Sequence, residues 1–275
     1  LNLVLGTGPT VGEHLARHRA VAMVSLTGST RAGRRVAALA SGSLKRLAME
    51  LGGKSAAVVL PDADLPAAVE HTVATVMLNT GQTCTALTRL LVPRAMLADA
   101  ATLVAEQMAA YQVGSAHDAG TDVGPVSNES QRQRVQDYQE RARIEADEVL
   151  WEYQGPLPAD GFFVNPMAVL TADPGAMVAQ EEIFGPVLTL LGFDDDDDAV
   201  RIANGTPYGL YATIWSADAE RAGVLARRVD AGSIDINGAE FNELAPFGGF
   251  GQSGYGRELG IHGIHEFTQL KAIQT

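Results

Sequence analysis

Hydrophobic and polar positions along the chain change period again and again. "NLVLG" is a short apolar run ending at a glycine and predicts a strand; "PTVGEHLARH" follows with helical spacing. "AVAMVSLTG" predicts a second strand, and "STRAGRRVAALASG" a helix closed by Gly42. "LKRLAMELGG" and "SAAVVL" predict two more strands. "ADLPAAVEHTVATVMLN" is a long helix that ends just before Gly81, then "TRLLVP" is a strand and "AMLADAATLVAEQMAAYQVG" a helix. Residues 115–168 are polar and turn-rich, with one predicted helix at "ESQRQRVQDYQERARIEADEV". Beyond them "PVLTLLGF", "YATIWS" and "AGSIDING" alternate with helices at "DDAVRIANG" and "AERAGVLARRV". This alternation predicts an α/β fold with mostly parallel strands. The glycine-rich tail "APFGGFGQSGYGRELG" is expected to pack closely against something, because glycine permits close backbone approach.

Composition narrows the function classes. The chain has 275 residues, 46% hydrophobic, enough for a sizeable core. Its 20 basic and 33 acidic residues give a net charge of −13, which argues against nucleic acid or an anionic membrane as partner. No apolar run approaches the ~18 residues of a membrane span. A single cysteine, Cys84, excludes an internal disulfide and a cysteine-based metal cage, and fits a reducing, cytoplasmic compartment.

Several stretches could carry chemistry. In "VSLTGSTRAGRRVAAL" a strand ends at Thr27-Gly28-Ser29-Thr30 and a helix begins at once. Unpaired N–H groups at a helix start attract anions, and Ser29 is small enough to admit a phosphate; the plainer role is a helix cap. Gly6, Gly8 and Gly12 miss the dinucleotide fingerprint by one position. In "MELGGKS", Glu50 follows an apolar stretch and precedes two glycines. Over a cleft, desolvation would raise its pKa towards general-base range; otherwise it is a turn residue. In "NTGQTCTALTR", Cys84 has hydroxyl and amide neighbours, Thr83 and Thr85 among them, rather than apolar ones. No histidine of the six (His14, His18, His71, His117, His262, His265) sits in a setting suited to a thiol protease; His14 and His18 read as exposed, with no third metal ligand. In "QEEIFGPVL", Glu182 and Phe184 lie two apart and would face the same way in an extended segment. There a carboxylate could accept ribose hydroxyls and an aromatic could flank a flat ring. The run Asp194–Asp198 precedes a helix and suits its positive end, so no metal site is assigned to it.

Together, "SLTGSTRAG", "MELGGKS", "NTGQTCTALTR", "EEIFGPV", "NGTPYGL" and "PFGGFGQSGYGRELG" resemble the aldehyde dehydrogenase superfamily, in the family's order and over essentially the whole chain. The resemblance implies the end of a Rossmann-type cofactor domain (1–52) and an α/β catalytic domain with a mostly parallel sheet (53–252). A return segment (253–275) would follow, in which "FTQLKAIQT" supplies an oligomerisation strand for a homodimer or homotetramer. It implies NAD or NADP as cofactor, NAD favoured, and a small-molecule aldehyde as substrate. Cys84 would be the nucleophile, Glu50 the base that releases the thioester as an acid, and Glu258 a member of a proton path behind Glu50. Gly28, Ser29, Leu51, Glu182 and Phe184 would contact the cofactor; Thr83, Thr85, Phe241 and Phe247 would line the nicotinamide and substrate pocket. Having both Cys84 and Glu50 favours hydrolysis over acyl transfer to coenzyme A.

Two departures qualify these expectations. Leu26 stands where the family usually has phenylalanine, a packing change. The family's N-terminal portion is not matched: the first strands of the cofactor sheet, a lysine at the adenosine ribose, an asparagine of the oxyanion hole and the acidic position that helps choose NAD over NADP. An oxyanion donor is worth ~3–4 kcal/mol. The alternative expectation is therefore a truncated, non-catalytic member or pairing partner. A thiol hydrolase without redox chemistry is a third.

Overall fold

A computed structural model describes all 275 residues. The chain forms two compact units, one of Leu1–Gly52 with Phe241–Thr275, the other of Gly53–Glu240. Residues 241–252 therefore belong with the first unit.

The first unit begins without the strand expected at "NLVLG": residues 1–7 are irregular and mostly exposed, with no strand to pair them. A tight π-helical turn, Gly8–Gly12, leads into α1 (Glu13–Arg17). Then β1 (Met23–Thr27), α2 (Thr30–Ala40) and β2 (Arg46–Glu50) form one βαβ step, with Met23 opposite Arg46 and Thr27 opposite Glu50.

The second unit is a seven-stranded sheet. Its strands are β3 (Ala56–Val59), β4 (Arg89–Pro93), β5 (Glu148–Glu152), β6 (Met167–Leu170), β7 (Val187–Phe193), β9 (Tyr211–Trp215) and β10 (Ser233–Ile236); the short β8 (Tyr208–Gly209) lies outside it. The spatial order is β10-β9-β3-β4-β7-β6-β5. Every neighbouring pair is parallel except β5 with β6. Helices α3 (Leu65–Met77), α4 (Leu97–Ala109), α5 (Glu129–Glu145), α6 (Met177–Gln180), α7 (Asp196–Asn204) and α8 (Ala219–Ala226) connect the strands. Both faces of the sheet are covered. Ala57 and Val59 of β3 face one core with residues of α3 and α4, while Ala56 and Val58 face the other with residues of α7 and α8. That is why the central strands read as continuous apolar runs rather than alternating ones. All seven residues of β7 are buried.

The polar stretch 115–168 held more than the one helix expected. Residues 148–152 form β5 rather than the end of that helix, which stops at Glu145, and β6 follows at residue 167. Being an antiparallel edge with half-exposed residues, β5 lacks the apolar run that marks the inner strands.

In the return stretch, β11 (Phe250–Gly251) and β12 (Gly254–Tyr255) precede α9 (Gly260–Glu266). β12 pairs antiparallel with β2, Gly254 against Glu50. A Cβ at Gly254 would lie 1.9 Å from the Met49 carbonyl oxygen, so only glycine fits. Residues 267–275, expected as an oligomerisation strand, form no strand, and no strand of this unit pairs with them. No helix is long and apolar enough to cross a membrane.

Candidate active site

In the first unit the decisive residue is Glu50, the last of β2. Parallel pairing with β1 and antiparallel pairing with β12 fix its backbone. Its side chain is only 5% exposed, and Oε2 has no hydrogen-bond partner. The glycine tail is what it packs against: a Cβ at Gly248 would lie 2.7 Å from Glu50 Oε1. Desolvation, with a smaller push from the Glu258 carboxylate and an opposing pull from Arg257, raises the Glu50 pKa to about 7. A carboxyl poised there can take a proton near neutral pH. Glu258 is held through its backbone, exchanging hydrogen bonds with Phe247 at 2.8 and 2.7 Å. Phe247 meets Phe241 edge-on at 5.8 Å between ring centroids, and Phe241 is exposed.

Ser29 caps α2, its hydroxyl accepting the Ala32 N–H at 3.2 Å. The helix start is exposed, and a Cβ at Gly28 would meet nothing closer than 3.8 Å. The capping hydroxyl and the remaining first-turn N–H groups together suit an anion. Leu51 is buried with its side chain against Gly33, where a Cβ would come within 2.7 Å of it. That contact seats α2 on β2.

In the second unit Cys84 follows α3 through three successive left-handed residues, Asn79 (φ 50°), Thr80 (φ 58°) and Gly81 (φ 72°). Such backbone is costly for non-glycine residues and persists only when surrounding contacts impose it. Here Thr80 Oγ1 donates to the Gly124 carbonyl at 3.0 Å, and Asn79 and Gln82 exchange side-chain to backbone hydrogen bonds at 3.0 Å each. Thr83, Cys84 and Thr85 emerge half-buried.

Glu182 lies in the same unit and accepts the Gly53 N–H on Oε1 at 3.1 Å. Burial raises its pKa, while the Gly53 hydrogen bond and the charges of Arg134 and Lys54 work against that rise. The segment is not extended as expected: Phe184 has φ 60°, so Glu182 and Phe184 do not follow strand alternation. Helix α5 imposes this turn. Gln131 donates to the Ile183 and Phe184 carbonyls (3.2 and 2.7 Å), and Arg134 to Ile183 and Glu182 (3.3 and 2.6 Å).

Sequence reading missed these two residues, and it missed Lys54 and Arg89. Lys54 is 2% exposed with no hydrogen-bond partner for Nζ, and burial followed by Arg89's charge lowers its pKa to about 7. Arg89 is buried and donates to the carbonyls of Lys54, Ile202 and Ala203 at 2.7–2.8 Å. A lysine two glycines after a strand end was the only signal available.

The aldehyde dehydrogenase family model matches residues 1–273. The chain belongs to the aldehyde dehydrogenase family. A 3-succinoylsemialdehyde-pyridine dehydrogenase from a Pseudomonas species is 42% identical over 99% of this chain and 57% of that protein. Aldehyde dehydrogenase C of Pseudomonas syringae, solved with NAD+ and octanal, superposes with a TM-score of 0.95 at 42% identity, covering 98% of this chain and 56% of the other. Betaine aldehyde dehydrogenase of Staphylococcus aureus, solved with NAD+, gives 0.91 at 31% identity over 96% and 53%. The chain thus spans little more than half the length of these aldehyde dehydrogenases.

Proposed function

We propose that this aldehyde dehydrogenase chain carries the nucleophile and base of NAD+-dependent oxidation of an aldehyde to a carboxylic acid. The observation that carries the reading is Glu50: a buried carboxyl with an unsatisfied oxygen and a pKa near 7 at the end of a strand. A structural carboxylate would be paired or solvated; this one is kept ready to accept a proton.

Each unit by itself holds residues suited to one part of a dinucleotide. The exposed α2 start at Gly28 and Ser29 offers N–H donors to a pyrophosphate, and Glu182 uses one oxygen on Gly53, leaving the other for ribose hydroxyls. Bound NAD+ would supply the hydride acceptor. NAD+ is favoured over NADP+ because both solved relatives named above hold NAD+.

Cys84 would add through Sγ to the aldehyde carbon, making it tetrahedral and electron-rich. After loss of hydride the carbon remains on sulfur as a thioester. Glu50 would take a proton from water as the water oxygen bonds to that carbon, releasing the acid and returning the thiol. The Cys84 N–H would serve as an oxyanion donor. Phe241 and Phe247 would flank the nicotinamide and substrate, and Glu258 would take the proton onward from Glu50.

NAD+ titration, followed by octanal oxidation, tests the reading; octanal is the probe because the P. syringae relative was solved with it. Saturable NAD+ binding and NADH formation dependent on Cys84 are expected. Absence of saturable binding would favour the non-catalytic reading instead.

A further inference from the structure

Two glycines tie the segment carrying Cys84 to the segment carrying Glu182, both inside the Gly53–Glu240 unit. Gly53 donates its N–H to Glu182 Oε1 at 3.1 Å. On its bare side it seats the Cys84 carbonyl: a Cβ there would lie 2.6 Å from that oxygen. Gly53 is not among the glycines with positive φ, so the Cys84 peptide, not backbone conformation, excludes a side chain. The second contact closes a loop. A Cβ at Gly81 would fall 2.2 Å from the Gly185 carbonyl carbon, so the turn before Cys84 rests directly on the turn after Glu182.

One peptide further along, between Lys54 and Ser55, the backbone is held in place. Arg89 Nε holds the Lys54 carbonyl at 2.8 Å, and Arg89 is itself fixed by two further carbonyls. A shift of Gly53 therefore bears first on the Cys84 carbonyl, with Leu210 Cβ and the Ser55 hydroxyl next, each 3.4 Å from a Cβ built there.

We infer that Gly53 is a positioning residue that couples the Glu182 carboxylate to Cys84, so that the state of Glu182 alters the reactivity of the thiol. The linkage is a property of the second unit alone; its use in cofactor sensing rests on the reading of Glu182 as the ribose carboxylate. A glycine present only for packing would leave the thiol indifferent to Glu182.

The single cysteine makes the test clean, because iodoacetamide uptake by intact mass reads Cys84 alone. In that reaction the sulfur–carbon bond forms, iodide leaves and the thiol proton passes to solvent. Glu182→Ala removes the acceptor without adding an atom, and is expected to speed alkylation roughly threefold or more at fixed pH, with unchanged circular dichroism. Glu182→Gln keeps an acceptor and is expected to retain the parent rate. Gly53→Ala should also speed alkylation. Gly223→Ala, whose Cβ would meet only the Arg227 side chain at 3.9 Å, should not. An unchanged or slower rate in Glu182→Ala overturns the linkage, and decides the matter even if Gly53→Ala does not fold. NAD+ is expected to change the parent's rate but not that of Glu182→Ala. A Glu182→Ala effect without any NAD+ effect on the parent keeps the linkage and removes the ribose role.

Discussion

Two acidic regions of this molecule behave in opposite ways. Asp194–Asp198 concentrates five carboxylates, and each one is spoken for. Asp195 caps α7 at 2.9 Å, while Asp194, Asp196, Asp197 and Asp198 pair with Arg94, Arg221, Arg228 and Arg201. Glu50 is a single carboxylate, buried, with one oxygen unsatisfied and Glu258 close enough to disfavour its charge. Density of acid therefore marks a helix start here, and isolation of acid marks the candidate chemistry. Satisfaction of the group, not its abundance, separates the two.

The comparison can be broken most sharply at the nucleophile that Glu50 is proposed to serve. Cys84→Ala is expected to cut aldehyde oxidation by about 10³-fold or more with NAD+ binding retained. Turnover surviving in that variant would leave Glu50 without a task. Next, Glu50→Gln should slow turnover by about 10²–10⁴-fold. Because the base works as carboxylate, parental activity should rise as pH passes upward through about 7, and the variant's should not.

Stability gives a smaller and opposite effect at the same position. A carboxyl whose folded pKa lies above its unfolded value destabilises the fold once it must ionise. The cost is absent below about pH 4.5, where both states are protonated, and grows to its full size by about pH 7. Glu50→Gln should accordingly stabilise by on the order of 1–3 kcal/mol at pH 8 and by nothing measurable at pH 4, in chemical denaturation. The smallest effect belongs to the acidic run: Asp197, with a side chain 83% exposed, should tolerate Asn within about 0.5 kcal/mol. A larger loss there would mean that the surface pairs stabilise more than solvent-screened charges normally do.

Much of this was legible in the sequence because local signals agreed with tertiary ones. The run "RLAMEL" ends at two glycines, so a carboxylate near a strand end was readable from six letters, and so was the cap at Ser29. What failed was non-local. "NLVLG" has strand composition but no partner strand in the structure, and composition alone cannot form a ladder. The edge strand β5 was hidden inside a charged stretch because it buries little. The left-handed Phe184 depends on Gln131 and Arg134, some fifty residues earlier by the separations of 49–53. Arg89 looked like an ordinary strand-start cation, yet it satisfies three carbonyls, two of them 113 and 114 residues away. No pattern along the chain encodes such partners.

The most direct single measurement is the intact mass of Glu50→Gln after mixing with NAD+ and octanal. If Cys84 forms the thioester and Glu50 activates the water that cleaves it, acylation proceeds and release stalls. An octanoyl adduct should accumulate and map by peptide sequencing to Cys84. No adduct, or one on another residue, would contradict the division of labour between this thiol and this carboxyl.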